Sequence, residues 1–185
     1  MNSPIQKPHK YSYREYQYFP NDGNRHEIID GEHYMSPAPS TKHQTVSRRI
    51  QFQLYSQIEL VGRGKVFDAP TDVELADHDI VQPDLIIVMK DRNRIITPKR
   101  IRGIPNLVVE ILSESNSAQD RVLKFEMYQR VQVPEYWIVD PEEESIEQWV
   151  LKEEKYHLLG PHRNAIVCHA IDDIHVELAF VWSDE

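Results

Sequence analysis

The chain has 185 residues, with 21 Lys and Arg against 30 Asp and Glu, so its formal charge is 21 − 30 = −9. That balance argues against a protein that coats nucleic acid non-specifically, which would be basic, but leaves room for an enzyme with one local basic patch. The single cysteine, Cys168, excludes an intrachain disulfide and a Cys-rich zinc module.

The length suits one domain over residues 1–185, with a loose tail at 1–10 carrying two prolines. The polar start has no apolar core of the kind a signal peptide needs. No run approaches the roughly 18 to 20 apolar residues that cross a bilayer, so a cytoplasmic protein without membrane contact is expected. Ser12 is placed to cap a short helix over YREYQYF. HEIIDGEHYM reads as a hairpin turning on Asp30-Gly31, which pairs Glu27 with Tyr34, His26 with Met35 and Ile28 with His33. After SPAPS, Thr41 and Gln44 match a capping box. Val46, Ile50, Leu54 and Ile58 then mark one helix face as far as Gly62. KVFD, TDVEL, VQPDLIIV and LVVEIL read as strands. A second helix is expected from Ser115 or Ser117 to about Val131. EYWIVD is a strand, SIEQWVL and KYHLL a hairpin, and AIVCHA and HVELAFVW complete the chain as further strands. The acidic runs at 142–144 and 153–154 read as solvated turns. This order describes an α/β sandwich with a mixed sheet.

Two strands raise the same question. VQPDLIIV carries Asp84 among aliphatic residues, and NLVVEILS carries Glu110. A charge buried without a partner is costly. If the strands are neighbours, the two carboxylates can meet at one end of the sheet, where they repel unless a proton or cation lies between them. At neutral pH that cation is a hard divalent ion with oxygen ligands, magnesium or manganese rather than zinc. Pro83 fixes φ and removes a donor just before Asp84, which suits a strand start.

PD at 83–84, ExL at 110–112 and a helix carrying Asp120 and Lys124 together resemble the PD-(D/E)xK nuclease superfamily. The wider frame of HEIIDGEHY, SPAPSTKHQ, FDAPTDVEL, VQPDLIIV, VVEILS, DRVLKFEMY and VPEYWIVD resembles the Uma family of bacterial putative restriction endonucleases, from Glu27 to Asp140. The resemblance implies a restriction-endonuclease-like mixed β-sheet flanked by helices, with additional β-hairpins at both ends. It also implies a metal held by Asp84, Glu110 and the backbone carbonyl of Ile111, with Mg2+ or Mn2+ as cofactor and DNA as partner. The lysine of the plain pattern is replaced by Leu112, and Lys124 is the candidate substitute. At about 100° per residue Asp120, Lys124, Ser117 and Tyr128 share one narrow helix face. A solvated face is the bland alternative, but apolar Val131 lies among them, so the lysine stem can bury and extend its ammonium into a site.

Supporting candidates are Glu27, His43, Ser113, Asp120 and Tyr128. A hairpin-exposed Glu27 and a structural His43 are the competing readings, and the nine histidines show no metal-ligand spacing. Asp72 and Glu74 read as strand-face polar residues. The segment KDRNRIITPKRIRGIPN, 90–106, holds six basic residues and one acid, a charge of 6 − 1 = +5. Arg92, Arg94, Lys99, Arg100 and Arg102 are therefore nucleic-acid-binding candidates, against a solvated connector as the alternative. Three functions compete: a Mg2+-dependent deoxyribonuclease, an inactive nuclease fold binding nucleic acid or protein, and carboxylate-based glycoside hydrolysis. The basic segment and Lys124 argue against the last. Cutting both strands of a duplex needs two sites, so a homodimer is expected.

Overall fold

Ser12 caps α1 (Tyr13–Tyr16), its backbone N–H donating in return to Glu15. The computed structural model describes residues 9–113 and 120–183. Strands β1 (Arg25–Ile29) and β2 (Glu32–Ser36) form the predicted hairpin in the predicted register, with Glu27 opposite Tyr34. Asp30 at φ 49° and Gly31 at φ 81° adopt the left-handed backbone that a type I′ turn requires. Helix α2 (Thr41–Ile58) buries Val46, Ile50, Leu54 and Ile58 as expected. Its cap lies one residue before the predicted one. Ser40 is extended and accepts from the His43 N–H at 3.2 Å, whereas Thr41 is already helical and cannot cap.

The chain continues through β3 (Gly64–Asp68), β4 (Val73–Ala76), β5 (Asp79–Val81) and β6 (Leu85–Met89). A 3₁₀ turn over Lys90–Ile95 leads to β7 (Ile101–Arg102) and β8 (Leu107–Ile111). The expected helix start at Ser115 or Ser117 lies outside the described residues. A π-helical turn, Asp120–Lys124, runs into α3 (Phe125–Arg130). Then come β9 (Glu135–Asp140), β10 (Ser145–Lys152), β11 (Lys155–Leu158), β12 (Ala165–Val167), β13 (His175–Glu177) and α4 (Leu178–Trp182).

These strands form three sheets, in the orders β2-β1-β5-β4-β7, β11-β10-β9-β8-β6-β3 and β12-β13. In the six-stranded sheet β8 and β9 are parallel and every other pairing is antiparallel. Alternation sorts its side chains between two cores. Leu85, Ile87, Leu107, Val109 and Trp137 face α2 and the C-terminal elements. Ile86, Val88, Val108, Tyr136 and Ile138 face Ile29, Val73 and Val81 of the five-stranded sheet, together with Met127 and Tyr128 of α3.

Three departures from the sequence reading have physical causes. VQPDLIIV is two strands: Val81 ends β5 in one sheet and Leu85 begins β6 in the other. Pro83, without an N–H, stops the ladder between them. HVELAFVW divides into β13 and α4, because Leu178 and Val181, three apart, both bury against α2. Finally, β5 and β7 have three and two residues, too few to show a period. Among the described residues no helix is long and apolar enough to cross a membrane.

Candidate active site

Leu85 pairs with Val109 across β6 and β8, so one further step along the two antiparallel strands sets Asp84 opposite Glu110. Both carboxylates bury, at 3% and 1% exposed. The Ile111 N–H donates to Asp84 Oδ2 at 2.8 Å and ties the joint between the two sheets to the end of β8. Each acid has its own cations. Arg25 Nη1 donates to Asp84 Oδ1 at 3.0 Å, and His43 Nε2 lies 3.1 Å from Oδ2. His43 Nδ1 has no partner among the described residues, which suits the tautomer that donates from Nε2. Burial pushes the Asp84 pKa up, but the His43 hydrogen bond, the Arg25 and His43 charges and the Ile111 N–H outweigh it and hold the carboxyl below its usual range.

Glu110 Oε1 accepts from Lys124 Nζ at 3.0 Å and from the Tyr128 hydroxyl at 2.7 Å. The same Lys124 amine lies 3.0 Å from Glu27 Oε2. Glu27 Oε1 in turn accepts from the Gln82 N–H at 2.8 Å. Lys124 is therefore a bridge between two acids, and only 3% of it is exposed. Burial, followed by the neighbouring Glu110 charge, raises the Tyr128 pKa well above its ordinary value, so its phenol remains a donor. Arg25 and Glu27 sit two apart on β1 and so share a face. Burial lowers the Arg25 pKa, but the charges of Asp84, Glu110 and Glu27 raise it further, which ties this guanidinium to all three acids.

These groups border an open cavity of about 700 Å³, whose lining includes Arg25, His43, Asp84, Glu110, Leu112, Ser113 and Lys124. Lys42 and Arg121 stand exposed at its mouth. Lys42 pairs with Glu142 at 2.9 Å, and Arg121 pairs with Asp140 at 3.2 Å and with Glu147.

The candidates Asp84, Glu110, Lys124, Glu27, His43 and Tyr128 thus come together, with half-buried Ser113 on the same cavity. The side chain of Asp120 lies outside the described residues. Leu112 packs into the core between the sheets, so the position that carries lysine in the plain pattern is structural here. The basic segment lies elsewhere. It leaves β6 at Met89 and enters β8 at Leu107, the ends opposite Asp84 and Glu110 and about 17 Å away along five-residue strands. None of it lines the cavity. Arg92 donates to the carbonyls of Ile104 and Pro105, Arg100 and Arg102 pair with Glu74, and Arg94 and Lys99 are exposed. Arg25 escaped the sequence reading, although its place two residues before Glu27 was the available signal.

Two carboxylates and a strand-end carbonyl are hard oxygen donors, and that chemistry fits magnesium or manganese. Among the described residues, no three His, Cys, Asp or Glu side chains converge in metal-ligating geometry. By its chemistry the donor set fits a hard ion, and Arg25 and His43 stand on the two Asp84 oxygens.

A family model described as Uma2, "Putative restriction endonuclease", matches residues 13–178. Among solved structures, one from Anabaena variabilis ATCC 29413, described as a putative nuclease belonging to DUF820, superposes with a TM-score of 0.76. It is 16% identical, and the match covers 93% of this chain and 97% of that one, a likeness of fold. No curated protein matches the chain.

Proposed function

The chain belongs to the Uma2 family of putative restriction endonucleases, and from that premise we propose that it is a metal-dependent endonuclease hydrolysing DNA phosphodiester bonds. The observation that carries this reading is the Lys124 amine, set 3.0 Å from Glu110 on the floor of an open cavity that Asp84 also lines. Asp84, Glu110 and the Ile111 carbonyl are the groups to hold Mg2+ or Mn2+. When bound, the ion polarises the phosphodiester and lowers the pKa of a coordinated water.

The remaining chemistry belongs to the chain. Lys124 orients the attacking water and offsets the charge that grows on the phosphoryl oxygens. Tyr128 fixes the Glu110 carboxylate, and Glu27 holds the amine from its other side. Lys42 and Arg121, in exposed pairs worth little on their own, can exchange a carboxylate for a backbone phosphate. Cleavage of both strands calls for two such sites, which a homodimer in the cytoplasm supplies.

A second reading, a non-catalytic module binding nucleic acid or protein, draws on Leu112 at the lysine position and on Arg25 across Asp84. Calorimetric titration with Mn2+ of the wild type and Asp84→Ala, alongside nicking of supercoiled plasmid, separates the two. Asp84-dependent binding with Mn2+-dependent nicking is expected. Binding without nicking favours the module, and a wild type that neither binds nor cuts overturns the nuclease.

A further inference from the structure

Asp84 has to serve two masters. Its Oδ1 oxygen accepts from Arg25 Nη1 at 3.0 Å, while Oδ2 is taken by the Ile111 N–H at 2.8 Å and by His43 at 3.1 Å. Oδ2 already has two donors, so an incoming divalent ion would take the remaining lone pair of Oδ1, directly beside the guanidinium. We infer that Arg25 is an internal competitor for the divalent cation: the guanidinium and the ion would share the Asp84 carboxylate, and Arg25 gives way when an ion binds. This rests on the metal-binding reading above.

Charge supports displacement. A divalent ion on Asp84 would set its two positive charges beside the guanidinium that already bonds the same carboxylate at 3.0 Å, and like charges so close in a buried site repel.

Geometry decides which cation moves. Lys124 is clamped by two acids, with a side chain only 4% exposed. Arg25 hydrogen-bonds Asp84 through Nη1, begins its strand, lines the cavity and has a side chain 17% exposed. Of the two cations it is the more exposed and has the fewer acids bonded directly to it.

The test is calorimetric titration of Mn2+ into the wild type, Arg25→Met, Arg25→Lys and Asp84→Ala, with thermal melts at each Mn2+ concentration. A charged hydrogen bond lost to the ion corresponds to about a ten- to hundredfold gain in affinity when it is removed. Arg25→Met is therefore expected to bind Mn2+ about ten- to hundredfold more tightly than the wild type. Its melting point should be lower than wild type without metal and rise more steeply with Mn2+. Arg25→Lys, which keeps the charge, should bind nearly as the wild type does. Should Arg25→Met fold poorly, Arg25→Gln keeps a donor to Asp84 without the charge and must show the same direction. Asp84-dependent binding in the wild type that is unchanged or weakened by these neutral variants overturns the competition and leaves the metal site standing. Absence of binding in every protein overturns both. Binding seen only in the neutral variants supports the competition and the donor set, and counts against a metal-loaded wild type.

Discussion

Replacing Lys124 by methionine removes one charge while keeping most of the stem. The amine lies 3.0 Å from both Glu27 Oε2 and Glu110 Oε1 and is buried, so the substitution leaves two acids facing each other. Breaking a buried pair in this way costs about 3–5 kcal/mol. At about 2–4 °C per kcal/mol for a chain of this size, the melting point falls by roughly 6 to 20 °C. Proton uptake by one acid moves the loss toward the lower end. Loss of an oriented transition-state donor costs about a hundredfold to a thousandfold in rate. The two effects separate in the double variant Lys124→Met with Glu27→Gln, which removes one acid together with the cation. It is expected to recover most of the melting point and none of the rate. The assays are calorimetric melting and Mn2+-dependent nicking of supercoiled plasmid. A folded double variant that nicks within tenfold of the wild type would refute the argument and make Lys124 a counter-ion only.

Two further outcomes follow from the electrostatics. Asp84 titrates below its ordinary range when folded, so it contributes stability above its unfolded pKa of about 3.9, and that contribution is lost as pH falls through the folded value. Asp84→Asn is thus expected to be less stable than the wild type at pH 6, with the gap narrowing below about pH 4. Urea midpoints across that range decide it, and a constant gap contradicts it. For DNA binding, charge reversal at Lys42 and Arg121 is expected to flatten the salt dependence by about two units of slope, one per phosphate contact. The same reversal at exposed Arg94 and Lys99, on the far ends of the strands, is expected to change it by less than one; the opposite ranking would put the duplex on the basic connector.

Much of this arrangement could be read from residues close together in the sequence. Asp30-Gly31 set the hairpin register because two adjacent residues with positive φ admit few turns. Leu112 in place of a lysine points to the next helix, where Lys124 does reach Glu110. The change of sheet at Pro83 was harder to see, since an unbroken apolar run gives no sign that its two halves pair with different partners. A shared face at 100° per residue requires a regular α-helix. Residues Asp120–Lys124 instead form a π-helical turn, yet Lys124 and Tyr128 still converge on one carboxylate oxygen.

Glu135 marks the boundary of what the sequence can say. EYWIVD holds an acid in an apolar strand as NLVVEILS does, and Glu135 is fully buried. Its oxygens accept from Trp137 Nε1 at 2.6 Å, Gln148 Nε2 at 2.7 Å and the N–H groups of His169 and Ala170 at 2.8 and 2.6 Å, with the Cys168 thiol at 3.1 Å. Every one of these donors is neutral, four of the five come from residues 148–170, and Glu135 does not line the cavity. Such an acid fastens the C-terminal segment to the central sheet. Glu110 differs in what surrounds it: an amine shared with a second acid, a phenol kept protonated, and an open cavity that it lines. A carboxylate whose lone pairs are filled by fixed neutral donors has nothing to exchange with a ligand. One held by mobile or shared charge beside open space does, and that distinction lies in partners far apart in the chain.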